Sequence, residues 1–74
     1  MASGVHLNGH FGQRMKKIRE AARMSEAQLA AHIGQGVERI REMEAGGKIA
    51  SAGELWDICI ALDVEPHEFF ADGP

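Results

Sequence analysis

Residues 25–47, with the sequence SEAQLAAHIGQGVERIREMEAGG, restrict the fold of this chain more than any other stretch. Ser25 and Gln28 form the pattern of a capping box, which begins a helix. Gly34 stands where the end of a helix favours a left-handed residue, and a second helical pattern covers about residues 36–45. The stretch therefore predicts two short helices that are joined by a glycine-containing turn.

The segments on either side predict three further helices. Apolar residues recur at helical spacing over about residues 11–23, and Ser51 with Glu54 forms a second capping box. Pro66 suits the first turn of a short fifth helix, where its missing N–H costs nothing. No segment alternates as a strand does, so we expect an all-α fold of five short helices. The expected core residues are Phe11, Met15, Ile18, Ala22, Leu29, Ala30, Ile33, Ile40, Met43, Leu55, Ile58, Cys59 and Leu62.

The chain has 74 residues and one cysteine, Cys59. It has neither an intramolecular disulfide nor a cysteine pair for zinc, so core packing or dimerisation must stabilise this small domain. No apolar run approaches the ~20 residues that cross a bilayer, and residues 1–10 lack the basic residues of a secretory signal. We expect a cytoplasmic protein with a flexible segment at residues 1–10, one domain at residues 11–70 and a tail at residues 71–74.

The formal net charge of −3 is unevenly distributed along the chain. All eight Lys and Arg residues lie within residues 1–48, together with five acidic residues. Residues 49–74 carry six acidic residues and no basic one. Such a division indicates that one part of the surface meets an anionic partner. A chance distribution in so short a chain is the alternative.

The two helices of residues 25–47 carry the features of a helix-turn-helix, in which a short turn sets the second helix steeply against the first. Ala30 is the required small residue, Gly34 occupies the turn, and Ile40 is the apolar residue that locks the pair. Residues 11–70 resemble the Cro and phage-repressor family through GQRMKKIRE, MSEAQLAAHIG, IREMEAG, ELWDICIALDV and PHEFF. The resemblance implies a compact five-helix, lambda-repressor-like DNA-binding domain and a structural ion pair between Arg19 and Glu44.

The resemblance also implies a dimer. In such a dimer the helix predicted over about residues 36–45, the third in the chain (helix 3), enters successive major grooves of double-stranded DNA. Arg39 could bond guanine, Val37 could touch a thymine methyl, and Glu38 could accept from a cytosine amine. Arg39 and Glu42 lie three residues apart and could instead pair with each other. The implied base-contacting residues are Val37, Glu38, Arg39 and Glu42, and the implied phosphate-contacting residues are Ser25, Glu26, Gln35, Gly36, Arg41, Lys48, Arg14 and Lys17.

The predicted fourth helix, which begins after Ser51, carries more apolar residues than one buried face requires. Trp56, Ile60 and Val64 follow one another at a spacing of four, beside the core residues and within a rim of acidic ones. Such a strip indicates a two-fold dimer interface. The alternative for Trp56 is packing against Phe69 or Phe70.

Nothing in the sequence predicts an enzyme, because no phosphate loop, nucleophile elbow or pair of catalytic carboxylates is recognisable. His6, His10 and His32 offer too few convergent ligands for a metal site. We therefore expect no catalytic residue, metal, cofactor, membrane or small-molecule ligand. The favoured hypothesis is a dimeric, sequence-specific regulator that binds double-stranded DNA. The alternative is a protein-interaction module of the same fold, antitoxin-like or anti-repressor-like, whose acidic helix 3 contacts a basic protein partner.

Overall fold

The computed structural model describes the backbone of residues 4–70 and the side chains of residues 9–70. Residues 4–70 are all-α, as predicted, and contain four α-helices, one turn of 3₁₀-helix and no strand. The elements are α1 (Gly4–Ala21), α2 (Glu26–Ile33), α3 (Val37–Glu44), α4 (Ala52–Leu62) and the 3₁₀ turn (Pro66–Phe69). The predicted fifth helix is thus a single 3₁₀ turn, because the backbone leaves helical geometry at Phe70, where φ is −116°.

The limits of α1 differ from the prediction at both ends. The helix begins at Gly4 rather than near residue 11, because no proline interrupts residues 4–10 and helical hydrogen bonding propagates through them. It ends at Ala21 rather than near residue 23, because Arg23 adopts a left-handed conformation with φ 58°. Flexibility of residues 1–10 stays a prediction. Residues 1–3 and the tail at residues 71–74 lie outside the described residues.

Both ends of α2 and the start of α4 follow the predicted capping signals. Ser25 Oγ accepts a hydrogen bond from the Gln28 N–H, and the Gln28 side chain accepts from the Ser25 N–H in return. Ser51 and Glu54 form the same reciprocal pair at the start of α4. Gly34 ends α2 in the left-handed region, with φ 70°. Both capping boxes and the glycine cap are confirmed, and they fix both ends of α2 and the start of α4.

All five helical elements contribute side chains to one core. Of the predicted core residues, Ile18 and Leu55 are only half-buried, and Ala22 is exposed because it lies beyond the end of α1. The Phe11 ring lies 5.6 Å from that of Phe69, measured between centroids, which joins the 3₁₀ turn to α1. The buried hydrophobic residues are Phe11, Met15, Leu29, Ala30, Ile33, Ile40, Met43, Ile58, Cys59, Leu62 and Phe69.

The helix α1 crosses the C-terminal end of α3 at Gly12. A Cβ at this position would lie 2.4 Å from the carbonyl oxygen of Met43 and 2.7 Å from that of Glu44. Both separations are shorter than van der Waals contact allows, so the two helices can approach this closely only because residue 12 has no side chain. Gly12 therefore sets the position of α3 against α1.

Arg19 and Glu44 join the same two helices through a shielded ion pair. Arg19 Nε donates to Glu44 Oε2 at 2.6 Å, and Nη2 donates to Oε1 at 3.0 Å. Arg19 Nη1 also donates to the carbonyl oxygen of Met24 at 2.9 Å. The two charged side chains are only 9% and 6% exposed. This contact is the structural pair that the family resemblance implies, and it orients the C-terminal end of α3.

The substitution Gly12→Ala should lower the free energy of unfolding by about 2 kcal/mol, because the added methyl group must displace backbone carbonyls of α3. Gly9→Ala is the matched control on the same helix, because among the described atoms nothing lies within 4 Å of a Cβ there. Alanine in place of Gly9 should stabilise α1 by up to ~1 kcal/mol. Urea denaturation of both variants measures the difference. Similar effects of the two substitutions would contradict the close approach at Gly12.

Candidate nucleic-acid interface

The turn between α2 and α3 sets the angle at which the two helices meet. After the left-handed Gly34, the Gln35 N–H donates to the carbonyl oxygen of Ala30 at 2.9 Å. Gly36 then precedes α3 in an extended conformation, with φ −78° and ψ 158°. Ala30 is buried where α2 meets the rest of the core, and Ile40 of α3 is fully buried. The α2–α3 pair therefore has the geometry of a helix-turn-helix.

The two faces of α3 differ in burial. Ile40 and Met43 are fully buried and anchor the helix in the core. Glu38 and Glu42 lie one turn apart on the outer face, and both are exposed. Val37 is half-buried and packs against the core. The exposed face of α3 therefore presents two carboxylates, with Val37 only partly accessible beside them.

Arg39, the implied guanine-binding residue, is held by Glu54 of α4. Its Nε donates to Glu54 Oε2 at 2.8 Å, and its Nη2 donates to Oε1 at 2.6 Å. The side chains of Arg39 and Glu54 are 25% and 13% exposed. The alternative pairing of Arg39 with Glu42 is wrong, because the guanidinium reaches across to α4 instead of along α3. The bond from Arg39 holds the pKa of Glu54 at about 2, below its ordinary value of 4.5.

Arg41 pairs with Glu26 at the start of α2. Its Nε donates to Glu26 Oε1 at 3.1 Å, and the side chains are 60% and 33% exposed. The Glu26 carboxylate would repel a phosphate of DNA, and in the free protein Arg41 compensates the negative charge of Glu26. Because the pair is open to solvent, it constrains Arg41 much less than Glu54 constrains Arg39.

The other implied phosphate-contacting residues divide into two groups. Arg14 donates from Nε to the carbonyl oxygen of Glu68 at 3.0 Å, so one of its donors ties α1 to the 3₁₀ turn. Its phosphate contact stays a prediction. The remaining residues are exposed: Ser25, Gln35, Gly36, Lys17 and Lys48. Ser25 is also bonded to Gln28 through its Oγ and its N–H.

A groove lined by both apolar and acidic residues lies between α4 and the 3₁₀ turn. Trp56 and Ile60 are each 63% exposed at this groove, and Val64 is half-buried beside them. The groove is open to solvent and has a volume of about 380 Å³. Its acidic lining residues include Asp63 and Glu65. The ring contacts of the described residues join Phe11 to Phe69 and Phe70, so Trp56 does not pack against these rings in the core.

Burial raises the pKa of the Cys59 thiol, as is usual for a structural cysteine in a core. Among the residues whose side chains the structure describes, no three His, Cys, Asp or Glu side chains converge as a metal ion would require. His6 lies outside those residues. No helix in the described part of the chain is long and apolar enough to cross a membrane.

Comparison with known proteins identifies the family. A family model described as helix-turn-helix matches residues 15–69, which cover the C-terminal part of α1 and all of the later elements. This chain belongs to the Cro and phage-repressor type of helix-turn-helix family. The resemblance inferred from its motifs is thereby confirmed.

Similar proteins carry the same helix-turn-helix domain. The chain is 37% identical over 67 residues to an uncharacterized transcriptional regulator in the ATPase CF(0) region of Rhodospirillum rubrum, covering 90% of this chain and 62% of that protein. It is 38% identical over 66 residues to the uncharacterized HTH-type transcriptional regulator y4wC of Sinorhizobium fredii (strain NBRC 101917 / NGR234), covering 89% of this chain and 46% of the relative. The chain thus spans less than two thirds of the length of either relative.

Solved structures share the fold of this helix-turn-helix chain. The restriction-modification controller protein C.AhdI from Aeromonas hydrophila has a TM-score of 0.80 and 32% identity, covering 85% of this chain and 96% of that one. The clp gene regulator ClgR from Corynebacterium glutamicum has a TM-score of 0.82 at 22% identity, covering 86% of this chain and 68% of that one. The second likeness concerns the fold alone.

Two positions of the helix-turn-helix chain have roles that sequence reasoning missed. Glu54 is recognisable as a capping residue, but its pairing with Arg39, fifteen residues away, has no local signature. Gly12 had a signal that could have identified it. A glycine inside a helical pattern costs ~1 kcal/mol relative to alanine, and such a residue often has a packing reason.

The stability of the helix-turn-helix domain should fall as the pH decreases from about 4.5 to about 2, in part because of Glu54. The folded-state pKa of Glu54 is the lower one, so its contribution is complete above the ordinary value and is lost as the carboxylate is protonated. Glu54→Gln removes this contribution and keeps the capping-box acceptor.

Urea unfolding of both proteins at several pH values measures this effect. We expect the difference in unfolding free energy to shrink as the pH approaches 2. A difference that does not depend on pH would contradict the pairing.

Proposed function

We propose that this protein is a small dimeric transcriptional regulator that binds double-stranded DNA sequence-specifically, with α3 in the major groove. The observation that carries this proposal is the helix-turn-helix geometry of α2 and α3, with the outer face of α3 exposed. Membership of a family whose relatives are named as transcriptional regulators supports it.

The outer face of α3 supplies the proposed base contacts. Glu38 and Glu42 are exposed at its surface, and a carboxylate accepts a hydrogen bond from the cytosine N4 amine. Val37 is half-buried, so it offers an apolar contact to a thymine methyl without leaving the core. Arg39 would bond guanine after it is released from Glu54. Carboxylates reject bases that present only acceptors, so this face favours discrimination over general affinity.

Phosphate contacts would come from exposed groups around the motif. Lys48 and Lys17 are exposed cations, and Arg41 is available because its pair with Glu26 is open to solvent. The exposed Gln35 side chain, the Gly36 N–H and the start of α2 after Ser25 complete the proposed set. With few uncompensated cations, each subunit should bind random DNA weakly and with a modest dependence on salt.

Selection from a pool of random duplexes at low salt, followed by sequencing, tests this function. We expect a palindromic consensus whose half-sites are separated by about one helical turn, roughly 34 Å. In Glu38→Gln, the preferred base at one position of each half-site should change from cytosine to adenine, because glutamine pairs with adenine N6 and N7. Asp57→Asn is the control, because it makes the same charge change on exposed α4 and should keep the consensus.

Failure to enrich any sequence, with protein shown to be folded by circular dichroism, would reject DNA binding. An unchanged consensus in Glu38→Gln would instead reject α3 as the reading element while retaining a DNA-binding protein. The two failures are therefore distinguishable.

The groove on α4 supports the dimeric part of the proposal. Trp56 and Ile60 would bury their exposed surface against the same residues of a second copy, as a two-fold interface requires. Val64 extends this apolar strip. The acidic residues around the strip, including Asp63 and Glu65, would approach their counterparts in such a dimer. Salt should therefore strengthen association by screening their repulsion.

The substitution Ile60→Asp should convert the dimer to a monomer, because it places a charge in the centre of the apolar strip. Sedimentation equilibrium at two salt concentrations measures this, and the wild-type dimer should be tighter at the higher one. Trp56 is the only tryptophan, so its fluorescence emission should shift to longer wavelength in the monomer. Ala52→Asp, at the exposed start of α4, is the control and should remain dimeric. A wild-type monomer at all accessible concentrations would reject this interface.

A protein-interaction module is the second candidate function. The observation that favours it is the acidic character of α3, whose exposed Glu38 and Glu42 accompany an Arg39 already paired with Glu54. A module of this kind would bind a basic protein partner through these carboxylates and the Trp56–Ile60 strip. Dependence of binding on Glu38 and Glu42, with no effect of Lys48→Ala, would identify it.

A further inference from the structure

We propose that Glu54 controls the access of Arg39 to DNA. The carboxylate occupies the guanidinium in the free protein, and only a site that offers a matching pair of acceptors displaces it. This inference rests on the proposed binding of DNA by α3. It assigns a specificity-determining role to a residue that lies outside the helix-turn-helix.

The geometry of the pair makes the two uses of Arg39 compete. A guanidinium binds a carboxylate through two parallel N–H groups, and it binds guanine O6 and N7 in the same bidentate manner. Glu54 occupies the Nε–Nη2 edge of Arg39, with bonds of 2.8 and 2.6 Å. That edge cannot contact a base at the same time. The carboxylate also compensates the positive charge, which weakens attraction to phosphates.

Glu54 is fixed in place by its own helix. Its Oε1 accepts from the Ser51 N–H at 2.9 Å, in addition to the bond from Arg39. Its backbone N–H donates to Ser51 Oγ at 3.2 Å. The Glu54 side chain is only 13% exposed and is bonded at the start of α4, so α4 determines its orientation. Forming the pair therefore requires ordering of the Arg39 side chain alone, which favours the paired state.

The other arginine of α3, Arg41, provides an internal comparison. Arg41 and Glu26 share one bond of 3.1 Å, and their side chains are 60% and 33% exposed. Exposed pairs of this kind contribute little and open readily to a competing anion. The two arginines of α3 therefore differ in availability: Arg41 can turn to a phosphate, whereas Arg39 is retained by a shielded bidentate partner.

This difference has a consequence for recognition. Random DNA offers phosphates to Arg39, whose charge Glu54 already compensates, so Arg39 adds little to non-specific binding. A guanine edge in the operator offers two acceptors in bidentate geometry and can replace the carboxylate. Glu54 therefore lowers affinity for wrong sequences more than for the correct one, which increases specificity.

Glu54→Gln tests the proposal in the full chain. Glutamine keeps an acceptor for the Ser51 N–H and therefore preserves the capping box, while it removes the charge that holds Arg39. Asp57→Asn is the matched control, because it makes the same charge change one turn later on α4 at an exposed position. Arg39→Gln, alone and combined with Glu54→Gln, shows whether an effect passes through the guanidinium. Circular dichroism establishes that every variant is folded.

Fluorescence anisotropy with a labelled random-sequence duplex over a range of salt concentrations is the measurement. Glu54→Gln should bind about fivefold more tightly at low salt, and its salt slope should be steeper by ~0.9, as one added phosphate contact requires. Asp57→Asn should differ from wild type by less than about twofold. The gain from Glu54→Gln should vanish in the Arg39→Gln background. Preference for the selected operator over random DNA should decrease in Glu54→Gln.

Several results would overturn the proposal. An equal gain in Asp57→Asn would assign the effect to net charge, and a gain that persists without Arg39 would assign it to another cation. Unchanged affinity in Glu54→Gln, with wild-type protein that binds DNA, would reject control by Glu54 while leaving the proposed function intact. Absence of DNA binding by every folded variant would reject both.

A readout without DNA tests the same contact. Modification of arginines by phenylglyoxal, mapped by mass spectrometry, should be slow at Arg39 in the wild type and at least several times faster in Glu54→Gln. Arg41 should react at the same rate in both proteins and serves as the internal control. Equal reactivity of Arg39 in the two proteins would show that the charge of Glu54 does not hold the guanidinium, and would overturn the proposal.

Discussion

The close contact of α1 with the C-terminal end of α3 is the constraint on which the position of the outer face of α3 depends. Gly12 permits the contact because a Cβ there would lie 2.4 Å from the Met43 carbonyl oxygen. Arg19 and Glu44 then hold the same helices through two short hydrogen bonds. The proposed base contacts of α3 need a fixed orientation of that helix, since displacement of about 1 Å disrupts contacts that depend on geometry. In this protein α1 supplies that orientation, while the turn after α2 sets only the local angle.

The positive charges on the surface of α3 are compensated by carboxylates of the same protein. Arg39 is paired with Glu54 and Arg41 with Glu26, so both arginines of the helix have intramolecular partners before any ligand arrives. The two partners come from α4 and α2, the elements on either side of α3 in the chain. A polyanion would therefore meet a surface whose attraction depends on exchange of partners, which favours selective over general binding. Salt would, in contrast, strengthen the proposed dimer at α4, because it screens the repulsion between the acidic residues around the Trp56–Ile60 strip.

Some structural features of this protein could be predicted from local sequence patterns, and others could not. Ser25 and Gln28 identify the start of α2, because capping joins groups only three residues apart in the chain. The sequence did not predict that α1 begins at Gly4 or that the last element, which begins at Pro66, is a single 3₁₀ turn. The length of a terminal helix depends on propagation of its hydrogen bonds and on packing, and neither is visible in the local pattern. For Trp56 the sequence left two alternatives, and its exposure of 63% removes the one in which it packs in the core.

The sequence by itself determined both ends of α2, the start of α4, most of the buried apolar positions and the family, because caps, helical spacing and short motifs are patterns of residues that lie within a few positions of one another. The tertiary structure alone decided which charges meet Arg39 and Arg41. Arg39 has Glu42 within one turn of its own helix, yet it pairs with Glu54, because the crossing of α3 and the start of α4 brings that carboxylate into bidentate reach. An ion pair depends on the distance between side chains from different helices. No spacing along the chain encodes that distance.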